Sequence, residues 1–396
     1  MEKISNRIFY VGVNDKTKQL FEGLWPLPYG MSYNSYLVVD EKVALIDTVE
    51  QGFEDEFITN ITEAIGERHI DYLVVNHMEP DHSSLVGYML ANYPNLQIVA
   101  NQKTLPMLKG YYNVPEEKVY IVAEGDSLNL GSCDLKFFMA PMVHWPEVMV
   151  AWLEAENTLF SADAFGTFGA IEGSIVGEKG TFAEFRDEMI RYYSNIVGKF
   201  GTAVQNALKK LSTLDIKRIC STHGPIWENE VAEVVALYDR MSKYEVEKGV
   251  TIVYGSMYGN TAAAADALAL ELEALGVPYA IHDLAGNNAG DLGQSGALRD
   301  VFKYDTIAVG SPTYNNSIYP PVEAFMNALK GRMIKNRRFF AFGSYTWAGT
   351  AVGRLNALAQ EMNFELLGDG LSFPQAFTRC KCDMAEVAKV LKLKYK

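Results

Sequence analysis

One short stretch, Asn76-His77-Met78-Glu79-Pro80-Asp81-His82, holds two imidazoles and two carboxylates within six positions. It follows the apolar run Tyr72-Leu73-Val74-Val75, which reads as a buried strand, so His77, Glu79, Asp81 and His82 ride on the loop leaving that strand's C-terminal end. Imidazole nitrogen suits Zn, Fe, Cu and Ni, and carboxylate oxygen moves the preference toward Fe or Mn. The plainer reading is a polar turn with hydrogen-bonded histidines. Against it stand His144, Asp163 and His223, each just past the end of a predicted strand. The chain has six histidines and four fall in these positions. His69 and His282 do not, and read as ordinary polar or core residues. Seven potential ligands are too many for one tetrahedral ion and suit two. Glu79, Asp81 and Asp163 bring three negative charges against four positive ones from two divalent cations. One bridging hydroxide would balance them, as burial requires.

A second kind of chemistry is carried by three loops of the C-terminal part. Ser256-Met257-Tyr258-Gly259-Asn260-Thr261 lies between a predicted strand and a predicted helix. Hydroxyls, an amide and backbone N–H groups there form an anion cradle at the helix N-terminus. It has no Lys or Arg and is neither a Walker A loop nor Gly-x-Gly-x-x-Gly. Gly310-Ser311-Pro312-Thr313-Tyr314-Asn315-Asn316 and Gly343-Ser344-Tyr345-Thr346-Trp347-Ala348-Gly349 each follow a buried strand, where open α/β sheets bind ligands. Their aromatic rings could stack on a planar cofactor.

The elements that must hold these residues follow from the hydrophobic pattern. In the N-terminal part the predicted strands are Ser35–Val39, Val43–Asp47, Tyr72–Val75, Leu96–Ala100, Lys118–Ala123, Leu135–Met142, Val148–Leu153, Thr158–Ser161 and one ending near Cys220. Helices are expected over 53–66, 104–112, 182–211 and 230–248, and over a stretch reaching Tyr93 that Ser83 or Ser84 would cap. This suggests two sheets flanked by helices. After Gly249 the pattern alternates strand and helix. Strands are expected at Val250–Tyr254, Tyr279–Leu284, Thr306–Val309, Phe339–Phe342 and Phe364–Leu367. Helices are expected at 261–275, 350–362 and 384–393. Five parallel strands with crossovers make a doubly wound sheet. The expected domains are residues 1–248 and 249–396.

Composition narrows the class. The chain has 396 residues, beyond a usual single core, with 48% hydrophobic and 21% charged residues. A net charge of −14 argues against nucleic acid and anionic membranes. No signal peptide or spanning run is read. Four scattered cysteines without a Cys-x-x-Cys pair fit a reducing cytoplasm. Cys380-Lys381-Cys382 reads as two free thiols, on the expectation that strand alternation turns them apart.

The pattern His77-x-Glu79-x-Asp81-His82, followed by His144, Asp163 and His223, resembles the metallo-β-lactamase fold, with Glu79 where that fold commonly has histidine. Joined to a flavodoxin-like half, it resembles the flavodiiron proteins (A-type flavoproteins) over essentially the whole chain. The resemblance implies an α/β fold: an N-terminal metallo-β-lactamase-like αββα sandwich plus a C-terminal flavodoxin-like doubly wound parallel sheet. It implies two non-haem irons per chain. His77, Glu79 and His144 would bind one, Asp81, His82 and His223 the other, and Asp163 would bridge. Family members differ in whether the residue at His82 coordinates. It implies FMN on the three loops. Tyr192 or Tyr193 would approach the irons as a proton or hydrogen-bond donor, core packing being the alternative for each. Trp145 would wall the metals or simply pack.

The implied activity is reduction of O2 to water, of NO to N2O, or of both. The electron donor would be separate: rubredoxin, a reductase or reduced F420. The implied assembly is a head-to-tail homodimer or a pair of such dimers. The rival reading from the same ligands is a dinuclear-zinc hydrolase with an accessory flavodoxin domain. Glu79 and the flavin loops count against it.

Overall fold

The structure is a computed structural model that describes residues 1–286 and 292–392. The chain divides into two compact units. The first comprises Met1–Tyr192 and Phe200–Ser242, and the second Tyr193–Lys199 and Lys243–Lys396. The described helices include none long and apolar enough to cross a membrane.

The first unit is built on two sheets. Seven strands pair in the order Glu2–Lys3, Ile8–Tyr10, Tyr36–Val39, Val43–Ile46, Tyr72–Val74, Gln97–Asn101 and Val119–Val122. Five more run Ser127–Asn129, Asp134–Met139, Met149–Leu153, Thr158–Phe160 and Arg218–Cys220. Val38, Ala44, Ile46, Val74 and Val99 of the first sheet pack against Leu135, Phe137, Met149, Ala151 and Phe160 of the second in one buried cluster. Face-to-face burial of two apolar sheet faces is what a sandwich requires. The strands Tyr72–Val74 and Gln97–Asn101 are parallel and largely buried, which explains the apolar stretches Leu73–Val75 and Ile98–Ala100.

The second unit is a parallel sheet in the order Tyr279–Asp283, Glu247–Tyr254, Tyr304–Gly310, Arg338–Tyr345 and Glu365–Leu366, with Leu371–Pro374 also paired to Arg338–Tyr345. In chain order this is 2-1-3-4-5, with the fifth position split into two short strands where five unbroken ones were expected. The helices Asn260–Ala274, Gly293–Lys303, Pro320–Gly331, Ala351–Glu361 and Met384–Lys392 accompany it. The second and third of these were not read from the pattern. Leu393 lies outside the described residues.

Several expectations are corrected. No serine caps the helix Val86–Asn92. Leu85 precedes it without a side-chain cap, while the Ser83 and Ser84 hydroxyls donate to the carbonyls of Met78 and Val49. The long helix expected over 182–211 is Thr181–Tyr192, a π-helical turn Tyr193–Val197, a 3-10 turn and Gly201–Leu211. The units part at Ser242/Lys243 rather than after Lys248. The preceding helix ends at Ser242 and the strand has begun by Glu247.

Cys380 and Cys382 are joined in a disulfide rather than free. They sit in irregular chain between the 3-10 turn Phe377–Arg379 and the helix Met384–Lys392, so strand alternation never applied to them. The strands Val13–Asp15, Leu20–Phe21, Trp25–Pro26 and Met31–Tyr33 went unread because each is only two or three residues long.

Candidate metal centre and flavin loops

The metal loop leaves the strand Tyr72–Val74 as anticipated, and the Asp47 carboxylate fixes its start by accepting the Asn76 N–H at 2.8 Å. Burial raises the Asp47 pKa to about 6, against the pull of His82 and the Asn76 amide. Pro80 opens a one-turn helix, Pro80–Ser83, that carries Asp81 and His82. Two groups of ligand atoms result, each spanning no more than 4.8 Å: His77, Glu79, His144 and Asp163, and then Asp81, His82 and His223. All seven residues are buried.

Asp163 faces both groups. Its Oδ2 lies 3.1 Å from His144 Nε2 and 3.5 Å from His77 Nε2, while Oδ1 lies 3.1 Å from His82 Nε2 and 3.7 Å from His223 Nε2. Glu79 Oε2 approaches His144 Nε2 at 2.9 Å, and Asp81 Oδ2 approaches His223 Nε2 at 3.2 Å. All four imidazoles therefore present Nε2 inward, His82 included.

The ring orientations are fixed from outside. His77 Nδ1 is 2.7 Å from Glu147 Oε1, and His223 Nδ1 is 2.7 Å from the Ser32 carbonyl oxygen. A hydrogen bond donated at Nδ1 leaves Nε2 as the free lone pair. Thr222 donates its hydroxyl hydrogen to Asp163 Oδ1. Glu147 was missed in the sequence, although it stands three residues after His144 in His144-Trp145-Pro146-Glu147. Glu22 was missed too. Burial and the charge of Glu79 raise its pKa to about 7, and it accepts the Trp25 indole N–H at 2.9 Å. Nothing in its sequence context marks it.

The electrostatics favour cations. Burial works against a charged His144, yet Asp163 and Glu79 outweigh it and raise its pKa to about 10. Burial also works to raise Asp163, but His82 and His77 hold it well below the usual carboxylate range. The cluster thus draws positive charge onto its imidazoles. Both oxygens of Asp81, both ring nitrogens of His82 and Nε2 of His223 are buried, and the close approaches among them are too poorly aligned to be hydrogen bonds. Such groups are costly to bury unless coordinated. Four imidazoles and three carboxylates in two clusters fit a pair of non-haem divalent metals.

Of the two tyrosines, only Tyr192 faces this centre. It is buried, its hydroxyl has no hydrogen-bond partner, and burial followed by the charges of Asp163, Glu79 and Asp81 raises its pKa well above the usual value. Tyr193 takes the packing alternative: it belongs to the second unit, with its ring 5.8 Å from that of Phe302. Neighbouring helical side chains diverge by roughly 100°, so both could not point the same way. Trp145 stands edge-on to His77 at 5.2 Å, and His69 is exposed. His282 pairs with Asp300 at 2.7 Å, as a core histidine should.

In the second unit the loop Ser256–Thr261 connects the strand Glu247–Tyr254 to the helix Asn260–Ala274. Gly259, at φ +83°, precedes the helix Asn260–Ala274, whose N-terminus has no side-chain cap. Thr261 is buried and its hydroxyl lies 3.0 Å from that of Ser344. Ser256 accepts the Gly259 N–H at 3.1 Å. Ser344 and Tyr345 end the strand Arg338–Tyr345 rather than standing in a loop; Thr346, Trp347, Ala348 and Gly349 follow.

Asn315 and Asn316, with φ of +48° and +55°, make the two-residue turn between Thr313–Tyr314 and Ser317–Ile318. That turn type needs positive φ at both positions, so these asparagines have a structural reason to be there. Ser311 is buried, and its hydroxyl accepts the Tyr319 N–H at 3.0 Å. Met257, Tyr258, Tyr314 and Trp347 stand exposed on these loops. An uncapped helix start beside uncovered aromatic rings fits a phosphate-bearing planar cofactor.

A sandwich with two ligand clusters at its strand ends, followed by a doubly wound sheet of flavodoxin order, defines the class: a metallo-β-lactamase-like metal domain combined with a flavodoxin domain. A family model described as ODP family beta lactamase matches residues 31–224, and one described as Flavodoxin matches 252–392. The chain is 33% identical over 366 residues to the anaerobic nitric oxide reductase flavorubredoxin of Vibrio vulnificus, covering 91% of this chain and 73% of the relative. It is 33% identical over 370 residues to an uncharacterized protein of Methanocaldococcus jannaschii, covering 93% and 91%.

Among solved structures it is similar to the flavodiiron protein from Giardia intestinalis, with a TM-score of 0.90, 28% identity and coverage of 99% and 97%. It is also similar to rubredoxin oxygen:oxidoreductase from Desulfovibrio gigas, with a TM-score of 0.89, 26% identity and coverage of 98% and 96%. The chain belongs to the flavodiiron protein family.

Proposed function

We propose that this protein is an oxidoreductase that reduces O2, NO or both at a non-haem diiron centre supplied with electrons through FMN. The observation that carries the reading is Asp163, whose two carboxylate oxygens address two separate histidine sets. His77, Glu79 and His144 would hold one iron, Asp81, His82 and His223 the other, and Asp163 would bridge them. Ser256–Thr261, Ser311–Asn316 and Ser344–Gly349 would hold FMN. Irons and flavin together would supply the four electrons that take O2 to two waters, or the two that take a pair of NO molecules to N2O. Glu147 and the Ser32 carbonyl orient His77 and His223 for this role. Tyr192 keeps its proton and is the hydrogen-bond donor facing the site. A dinuclear-zinc hydrolase would have no use for the second domain.

Purified protein should contain about two iron atoms per chain. Reduced anaerobically and mixed with O2 or with NO in a stopped-flow instrument, it should reoxidise within turnover times for at least one gas. Stoichiometric zinc without iron, with activity intact, would overturn the reading. The electron donor we infer is rubredoxin, a reductase or reduced F420. The active unit we infer is a cytoplasmic head-to-tail homodimer, alone or paired. Subunit exchange between His77→Ala/His144→Ala and Thr261→Glu variants should then restore part of the activity that each parent lacks, and proven exchange without recovery would refute it.

A further inference from the structure

We infer that Cys380–Cys382 is an exchangeable disulfide that sets how tightly the phosphate loop holds its flavin. This rests on the assignment of FMN to the three loops above. The bond closes over a single intervening residue. A cross-link restrains the unfolded chain more as its loop lengthens, so this one does least to staple the fold. Both cysteines are only half-buried, whereas the free thiols Cys133 and Cys220 are buried. Arg379 and Lys381 flank Cys380, and the helix Met384–Lys392 starts two residues after Cys382.

The position of the bond gives it a lever. The segment before it borders two flavin loops. Gln375 N–H donates to the Tyr345 carbonyl at 2.7 Å, and Phe377 N–H donates to Oδ1 of Asn260 at 3.2 Å. Asn260 is the first residue of the helix at the anion cradle. The Phe377 ring packs on buried Phe373 at 5.3 Å, and both cysteines rest on the same apolar cluster as Ala264 and Leu268 of that helix. With the disulfide closed, the chain leaving the turn Phe377–Arg379 is held to one path, which keeps the Phe377 N–H on Asn260. With it open, that restraint is released.

The exchange is balanced by a dithiol reductant of the protein or small-molecule class. Its thiolate attacks one cysteine sulfur, the Sγ–Sγ bond breaks, and the other cysteine leaves as thiolate. The reductant's second thiol then resolves the mixed disulfide. Two electrons and two protons end on the pair, and the reductant departs as a disulfide.

The test uses the full metal-loaded chain freed of flavin, either oxidised or reduced with a phosphine that is then removed under argon. FMN is titrated by quenching of its fluorescence. Reduction should expose two reactive thiols per chain and weaken FMN binding by roughly three- to tenfold, the scale of one lost hydrogen bond. The Cys380→Ser/Cys382→Ser variant should bind like the reduced protein and ignore the phosphine. By linkage, saturating FMN should shift the dithiol–disulfide equilibrium of the unmutated protein by the same factor. Equal FMN affinity in both states, no new thiols, or a phosphine effect that persists in the double variant would overturn the switch while leaving the flavin site standing. Failure to bind FMN in either state would remove both.

Discussion

Around the metal centre His77, His82, His223 and Asp163 are fully buried, while on the flavin loops Tyr258 and Trp347 are 89% and 82% exposed. The first site is made of charged side chains, held in register by Glu147, the Ser32 carbonyl and Asp47. The second is made of backbone turns, hydroxyls and aromatic edges, with no charged side chain in the cradle. A cluster of buried carboxylates cannot wait open to water without disturbing the core, so it must be completed by cations held inside. A shelf of exposed rings can stand uncovered until its ligand arrives, because exposure of aromatic surface costs far less than an unpaired buried charge.

The contrast can be broken most severely at Asp163. Asp163→Ala removes the carboxylate that faces both ligand groups, so iron should fall from about two per chain to near zero. FMN content should be unchanged. Elemental analysis that finds one metal retained would count against the bridge. Thr261→Glu is the mirror experiment. A carboxylate beside the incoming phosphate, at the cost of the hydroxyl, should weaken FMN by on the order of 100-fold or more, leaving iron in place. Fluorescence titration with FMN reads this directly, and loss of iron along with flavin would show that the two sites are not independent.

A smaller effect sharpens what holds the metal side. Glu147→Ala frees the His77 ring and should lower metal affinity by about 10- to 100-fold. Competition with a chelator measures it, and unchanged affinity would reduce Glu147 to packing. The smallest expected effect is in the second unit, where a buried histidine serves structure alone. Burial works to raise Asp300, but its hydrogen bonds with His282 and Arg299 lower its pKa. A carboxylate depressed in the folded state stabilises above its unfolded pKa of about 3.9, and that contribution is lost as pH falls through the depressed folded value. Asp300→Asn should cost about 1–3 kcal/mol in urea unfolding at pH 7. The gap from the unmutated protein should close in strong acid. A gap that persists there would mean the loss is one of shape, not charge.

The same contrast decided what could be read from the residues. His77, Glu79, Asp81, His82, His144, Asp163 and His223 stood out because few other reasons place such groups at strand ends. The parallel strands were legible as unbroken apolar runs, since both of their faces are covered. Glu147 carried only its place three residues after His144, and Glu22 carried no signal, because burial beside Glu79 is set by tertiary packing. The left-handed backbone at Asp47, Met142, Ala162 and Phe165, with φ of +55°, +65°, +51° and +69°, was equally silent. These conformations hold ligand-bearing loops in place and are imposed by tertiary packing. Tyr192 and Tyr193 could not be told apart until the π-helical turn fixed which way each pointed.

The seven residues Tyr193–Lys199 belong to the second compact unit although the chain returns to the first before Lys243. During synthesis they emerge more than forty positions ahead of the rest of their unit. That segment is therefore without the rest of its unit until the chain beyond Ser242 has been made. A gene fragment cut at Gly249 would begin inside the strand Glu247–Tyr254 and would leave Phe302 without the Tyr193 ring that packs on it. The two halves of this protein are thus not interchangeable cassettes, and recombination or truncation should respect a seam that runs through the chain in three places.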